Sequence, residues 1–217
     1  MPEAGIGEKI MWGVVIVLAV GYLTGTWLNR RRSQTIGYWL QSGLRGLGGV
    51  TSWKWVGTMS SGAQVTVANA NPPFRQLQLT YLLLTRELWP LWGIELLRGK
   101  RDLLIVRAAL QSEPQQEFEV VPWRGKLRRA LDRAAGSHPW HWQEMPAGLG
   151  MATRSDAQAA LGEKVRPFLE RYGRFVQRLS LRQRQPHLIL FMHLSGLEEM
   201  PAREFLEAVR RVVGGQD

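Results

Sequence analysis

The sequence contains no cysteine, and that absence excludes several classes of protein at once. Disulfide frameworks, Cys-ligated zinc sites, iron–sulfur clusters and thiol catalysis all need cysteine side chains. The chain also lacks a P-loop, a nucleophile elbow, a paired-carboxylate motif, internal repeats and low-complexity tracts. We therefore expect a protein that is not an enzyme and holds no cofactor or metal, and the missing cysteines fit a reducing compartment.

Acidic residues are outnumbered, because 28 Lys and Arg face 18 Asp and Glu and give a net charge of +10. A charge of this sign favours anionic neighbours such as lipid headgroups, nucleic acid or the ribosome. No stacked-aromatic RNA-binding motif accompanies the basic residues, so we expect no sequence-specific recognition of nucleic acid.

Charge is missing altogether from Ile10 to Leu28, a run of 19 residues. At about 1.5 Å per residue, a helix of that length matches the roughly 30 Å hydrocarbon core of a bilayer. A cleaved secretory signal, the alternative, needs positive charge before the run. By the positive-inside rule, basic residues after the run keep the following chain in the cytoplasm and place the N-terminus outside or in the lumen. We expect a single-pass protein in which residues 1–29 form a short outer tail and a transmembrane helix. The topology-setting, lipid-facing residues are Arg30, Arg31 and Arg32.

The apolar run is uniformly hydrophobic, whereas hydrophobic residues in the segment 33–47 are periodic. Ile36, Trp39, Leu40 and Leu44 recur at helical spacing. Two interpretations are open: an amphipathic helix lying along the membrane surface, or an ordinary first helix packed on the domain. The predicted division is a juxtamembrane amphipathic helix over 30–49 and a cytosolic domain over 50–217, which is long enough for a core of its own.

Beyond residue 50, segments with a period of two alternate irregularly with segments of helical period. Strands are expected in "WKWVGTM", "AQVTVANA", "NPPFRQLQLTYLLLTR", "GRFVQRLSLRQ" and "HLILFMHL", and "RDLLIVRAAL" and "QEFEVVP" suggest a strand pair joined by the tight turn "QSEP". Helices are expected in "WRGKLRRALDRAAG", after Asp156, and in "MPAREFLEAVRRVV". Strict βαβ alternation is absent, so the pattern predicts an α+β fold with one mixed antiparallel-sheet and helix domain.

Histidines are few, and only one group of residues loosely resembles a metal-binding cluster. His138, His141 and Glu144 lie in "HPWHWQE", where the proline opposes the helical geometry that would align them. An aromatic-rich surface loop is the simpler interpretation. His187 and His193 are predicted on one strand, about 20 Å apart at roughly 3.3 Å per residue, too far to share a metal ion.

Basic residues concentrate in a predicted helix after residue 123 and in a segment around residue 178. At alternate positions of a strand, the second group lies on one face. Either a solvated charged face or a surface for lipid phosphate or ribosomal RNA explains both groups. The candidate basic interaction surface comprises Arg124, Lys126, Arg128, Arg129, Arg133, Arg174, Arg178, Arg182 and Arg184.

The segment "ELWPLWGIELL" is apolar nearly all round, and Pro90 suits the first turn of a short helix. Such a helix is either buried or docks on a partner or on the bilayer, and the pattern favours burial. If the helix docks instead, Trp89 and Trp92 are the candidate apolar partner surface.

Several stretches, taken in order, resemble the calumin family. They are "NRRRSQTIGYWLQSGLRGL", "LQLTYLLLTRELWPLW", "LIVRAALQSEPQQEFEVVPWRGKLRRALDR", "VRPFLERYGRFVQRLSL" and "HLILFMHL". The similarity runs from the apolar segment to the last predicted helix, and it consists of collinear residue types rather than a catalytic signature. Calumin-like proteins form the larger subunit of the PAT complex, an intramembrane chaperone assembly at the translocon of the endoplasmic reticulum.

The resemblance implies a non-enzymatic, membrane-anchored accessory factor in membrane-protein biogenesis. Its implied partners are the lipid bilayer, subunits of a translocon or insertase, a small membrane partner, and the ribosome or its RNA. The family's long acidic luminal segment and C-terminal coiled coil have no counterpart here, so calcium binding is not carried over. The alternative function is a membrane-tethered scaffold that binds anionic lipid or another protein complex through its basic surfaces.

Overall fold

The computed structural model describes residues 5–58, 60–136, 139–154 and 158–214. These residues form helices and one antiparallel sheet, as the α+β pattern predicts. The predicted helix cap Asp156 lies outside the described residues. The helices are α1 (Ile6–Leu44), α2 (Trp89–Leu97), α3 (Lys126–Ala135), α4 (Gln158–Tyr172) and α5 (Ala202–Val213). The strands are β1 (Val50–Trp55), β2 (Gly62–Ala68), β3 (Phe74–Leu82), β4 (Leu103–Leu110), β5 (Phe118–Pro122), β6 (His141–Met145), β7 (Leu149–Thr153), β8 (Val176–Leu181) and β9 (Leu188–His193).

The strand order of the sheet is β1-β2-β3-β4-β9-β8-β5-β7-β6. The expected hairpin of β4 with β5 is wrong, because β4 pairs with β3 and β9 whereas β5 pairs with β7 and β8. The turn sequence permits a hairpin, but the strongly apolar β9, together with β8, occupies the inner positions between the two strands. The expected surface loop at "HPWHWQE" is also partly wrong, since His141–Met145 forms the edge strand β6.

Helices α1, α5 and α4 cover one face of the sheet, and alternate strand residues point toward them. In β3, Leu77, Leu79 and Tyr81 are buried on that face. Phe205 of α5 lies among the helices, with its ring centroid 5.8 Å from that of Trp39 and a fully buried side chain. A side chain of this kind contributes about 1.5–3 kcal/mol when it leaves water. This layer of helices therefore holds the C-terminal half of α1 on the sheet.

Helix α1 runs without interruption for 39 residues. The expectation of a separate helix on the membrane surface is corrected, because Ile36, Trp39, Leu40 and Leu44 are buried against the domain. The burial of these residues agrees with the alternative interpretation, a first helix packed on the domain. Among the described residues, α1 is the one helix that is long and apolar enough to cross a membrane.

Candidate functional site

A single stripe of small and polar residues runs along α1 from its apolar half into its domain-packed half. Gly21, Gly25, Asn29 and Ser33 follow one another at four-residue spacing, and all four are buried. Residues four apart share one face of a helix, so the stripe is a continuous contact line. All remaining residues from Ile6 to Leu28 are at least partly exposed.

Residues 84–102, which we call the finger, pack against this stripe. The finger follows β3, passes along α1, and returns through α2 to the start of β4. A Cβ placed on Gly25 would overlap the carbonyl oxygen of Arg86, so only glycine permits this approach. A Cβ on Gly21 would lie 3.7 Å from the ring of Trp89. The finger thus extends along the apolar half of α1 up to the level of Gly21.

Asp102 fastens both ends of the finger to α1. Its carboxylate accepts hydrogen bonds from Nε of Arg32 at 2.6 Å and from Nη2 of Arg86 at 2.8 Å. It also accepts the backbone N–H of Leu84 at 2.9 Å. Because the Asp102 side chain is only 2% exposed, these bonds form in a region with little screening by water.

Two further contacts extend this network. Arg86 donates to the side-chain oxygen of Asn29, and the amide of Asn29 donates to the carbonyl of Leu84. Arg32 also pairs with Glu198 at 2.8 Å. Burial alone lowers the pKa of Arg32, but its hydrogen bond to Asp102 and the charge of Glu198 raise that pKa above its ordinary value. Arg32 therefore stays charged and faces the domain rather than lipid.

The outer surfaces of α2 are apolar and uncovered. The expectation of burial for this helix is wrong, since none of its residues is buried. Trp89 is 49% exposed and Leu97 is 91% exposed, whereas Trp92 is half-buried. The physical reason is position: α2 lies beside the apolar half of α1, beyond the sheet, where the domain supplies no cover.

A cation-rich cavity of about 600 Å³ lies near the base of the finger. Arg101, Arg174, His193 and Ser195 are among its lining residues. Burial, and then the charge of Arg101, lowers the pKa of His193, so the ring is neutral at pH 7. We call this cavity the base pocket.

The arginines predicted around residue 178 do not form one free stripe. Arg178 and Arg182 both bind Glu119 of β5, through Nε of Arg178 at 3.0 Å and Nη2 of Arg182 at 2.9 Å. Glu119 is only 5% exposed, so these two cations neutralise a buried carboxylate. Arg174 lies in a 3-10 turn before β8, and Arg184 lies exposed in the loop after it.

The predicted basic helix is present as α3, but one of its cations is engaged. The guanidinium of Arg128 lies 3.9 Å from the ring centroid of Trp123 and 4.8 Å from that of Trp142. It also donates to the carbonyl of Trp123, which positions it between the two indoles. The cations that remain exposed on this surface are Arg124, Lys126, Arg129 and Arg133.

The remaining sequence-predicted residues fall in two places. Arg30 and Arg31 are exposed at the end of the apolar run, and Arg31 lies over the ring of Trp27 at 5.6 Å.

His141 lies on edge strand β6, while His138 is outside the described residues. His187 precedes β9, is buried, and accepts the backbone N–H of Leu110. Across the described part of the chain, no group of three His, Cys, Asp or Glu could hold a metal ion.

Sequence reasoning missed the residues that join the finger to α1. Asp102, Arg86 and Glu198 carry no local signal, because their partners are distant along the chain. A signal did exist in α1, where small or polar residues recur at four-residue steps from Gly21 to Ser33. Such a stripe in an apolar helix is typical of close helix packing.

Comparison of the sequence with protein-family models and with curated proteins gives no significant match.

Proposed function

We propose that the protein is a single-pass, non-enzymatic membrane factor, anchored by the apolar half of α1 with its sheet domain in the cytosol. In this arrangement the finger lies in the cytosolic leaflet beside α1. The observation that carries the proposal is the packing of the finger, apolar on its outside, against the glycines of an exposed apolar helix. In water, two such adjoining surfaces would form a large exposed apolar patch.

The depth of the finger suits a bilayer leaflet. Gly21 precedes Arg32 by 11 residues (32 − 21), which is roughly 16 Å of helix at about 1.5 Å per residue. One hydrocarbon leaflet is about 15 Å, half of the roughly 30 Å core. With Arg32 at the cytosolic surface, Trp89 reaches the region of the bilayer centre. The backbone of Arg86 and Glu87, before α2, lies against Gly25 of α1, and contact with protein is the condition for irregular backbone at membrane depth.

We further propose that this apolar surface meets transmembrane segments of other membrane proteins during their biogenesis, beside a translocon or insertase. The surface is rigidly placed, because α1 is continuous and Asp102 fixes the finger to it. The resemblance to calumin-like proteins supports the same role. The exposed cations of α3 would face the cytosol, where ribosomal RNA is an anionic neighbour.

The topology is testable with single cysteines, because the natural chain contains none. We expect Gly5→Cys to react with a membrane-impermeant maleimide on sealed right-side-out cells, and Ser112→Cys to react only after permeabilisation. Both positions are exposed, so protection reports the membrane rather than folding. Labelling of Ser112→Cys in sealed cells would place the domain outside and would overturn the proposal.

The biogenesis role is testable by site-specific photocrosslinking to arrested, radiolabelled nascent chains of a single-pass membrane protein. We expect a photoreactive residue in place of Leu97, on α2, to crosslink the nascent transmembrane segment. The matched control replaces Leu127, another exposed leucine, on α3. We expect no comparable product from Leu127, or from either position with the nascent chain of a soluble protein.

Crosslinks from Leu97 to lipid alone would contradict the biogenesis role and favour the second candidate, a membrane-tethered scaffold for anionic lipid. The base pocket is the observation that favours this candidate, because its cations lie beside the finger.

A further inference from the structure

The base pocket is held at the level of the last residues of the apolar run. Arg101 adjoins Asp102, whose carboxylate binds Arg32. On the other side of the pocket, Ser195 follows Leu194, whose backbone N–H donates to the carbonyl of Asp102 at 2.9 Å. Two pocket residues are therefore sequence neighbours of Asp102 and Leu194, and Asp102 in turn binds Arg32, which lies four positions after Leu28. In a membrane-anchored chain, this is the level of the lipid headgroups.

The cations of the pocket are available for a ligand. Arg101 donates to the backbone carbonyls of Leu96 and Lys100, and Arg174 lies 4.6 Å from the ring of Phe175. Within the part of the chain that the structure describes, neither guanidinium has a carboxylate partner. Glu199 also lines the pocket, so two arginines and one glutamate leave a net charge of about +1 beside a neutral His193.

The chemistry of the lining suits a phosphate diester. Guanidinium groups bind phosphate oxygens through paired, charge-assisted hydrogen bonds, and the Ser195 hydroxyl supplies a neutral donor, whereas the His193 ring already lies 3.1 Å from the side-chain amide of Gln177. The cavity, of about 600 Å³, is open to solvent, so a headgroup can reach its arginines from outside the protein. Attraction of surface cations to anionic lipids adds to the binding at this depth.

We propose that the base pocket binds the phosphate of an anionic phospholipid headgroup through Arg101 and Arg174. This inference rests on the membrane placement proposed above. Bound lipid would add a second attachment to the membrane beside α1 and would restrain rotation of the domain about the α1 axis. The lipid class is an anionic glycerophospholipid, such as phosphatidylglycerol, in preference to zwitterionic phosphatidylcholine.

The test is native mass spectrometry of the full chain in detergent micelles titrated with phosphatidylglycerol or with phosphatidylcholine. We expect Arg101→Gln with Arg174→Gln to weaken phosphatidylglycerol binding at least roughly tenfold, since each lost charged hydrogen bond has an effect of that order. The matched control, Arg210→Gln with Arg211→Gln, removes the same charge from exposed positions of α5 and should bind like the natural chain. Arg101→Lys with Arg174→Lys should restore part of the affinity, which separates charge loss from misfolding.

Equal binding by the pocket variant and the natural chain would overturn the proposal, as would an equal loss in the α5 control. Inorganic phosphate or glycerophosphate that displaces the lipid at equal concentration would show that the ligand is a soluble phosphate, and would also overturn it. Failure of the membrane placement is distinguishable, because it appears in the cysteine labelling at residues 5 and 112 and not in the lipid titration.

Discussion

Replacement of Asp102 by asparagine is expected to lower the free energy of unfolding by about 3 kcal/mol, the low end of the range for breaking a buried ion pair. The neutral amide can still accept the N–H of Leu84, but it leaves the charges of Arg32 and Arg86 without their shared partner. We choose the low end because Arg32 is 29% exposed and water can partly replace the carboxylate.

The measurement is denaturant unfolding in detergent micelles, followed by circular dichroism. Glu163→Gln is the matched control, because it removes one carboxylate that pairs with Arg166 at the surface. Exposed pairs of this kind contribute at most about 1 kcal/mol, so we expect little change in the control. Equal stability of the Asp102→Asn variant and the natural chain would mean that the network does not hold the finger to α1.

Replacement of Gly25 by alanine is expected to cost at least about 2 kcal/mol, in the upper range for a single substitution. The added methyl group would overlap the carbonyl oxygen of Arg86, which is backbone and cannot turn aside. Either α1 or the start of the finger must shift, and the hydrogen bonds around Asn29 and Asp102 shift with it. Hydrogen exchange of residues 84–89 should accelerate, because these amides lie at the displaced contact.

Gly13→Ala provides the matched control for this prediction. It makes the same chemical change in the same helix, at a position where a Cβ meets no atom within 4 Å. Alanine is the better helix former by up to about 1 kcal/mol, so this variant should be neutral or slightly more stable. An equal destabilisation of both variants would attribute the effect to the helix itself and would contradict the close contact with the finger.

Both substitutions address one mechanical property, the rigid connection of the apolar helix to the domain. A helix that continues into the core without a linker cannot reorient freely against the sheet, since its buried face is shared by both halves. The apolar surface of the finger is therefore presented at a constant height and angle relative to α1. A surface that shields a transmembrane segment must be held in a fixed position. A flexible linker between α1 and the domain would not hold the surface in this way.

Local patterns predicted those parts of the fold whose partners are close along the chain. Strands β1, β2 and β3 pair in chain order, and their period of two is clear in the sequence. Helix α5 was predicted from its apolar stripe, and its Phe205, Leu206 and Val209 are buried as expected. The long apolar run was equally clear, but neither interpretation of residues 33–47 made them part of the same helix, as they are in α1.

The candidate site was predicted in part. The sequence singled out Trp89, Trp92 and Arg32, but it assigned burial to the first two and a lipid-facing position to the third. In the structure, Trp89 instead lies beyond the sheet and is about half exposed. Arg32 is paired with Asp102 of the domain. Arg178 and Arg182 were predicted on a free surface, yet both bind Glu119, which lies on the neighbouring strand β5.

Periodicity and charge along the chain determined which side chains of the strands and of α5 leave water, because each of these elements must bury its apolar face whatever lies opposite. They determined the long apolar segment, the strand and helix types and the α+β class. Tertiary structure alone decided the partners: the insertion of β9 and β8 between β4 and β5, the carboxylate that receives Arg32, and the side of α1 on which the finger lies. Those choices depend on contacts between residues far apart in sequence. Which backbone segment packs against a glycine, and which carboxylate pairs with an arginine, is decided only when the chain folds.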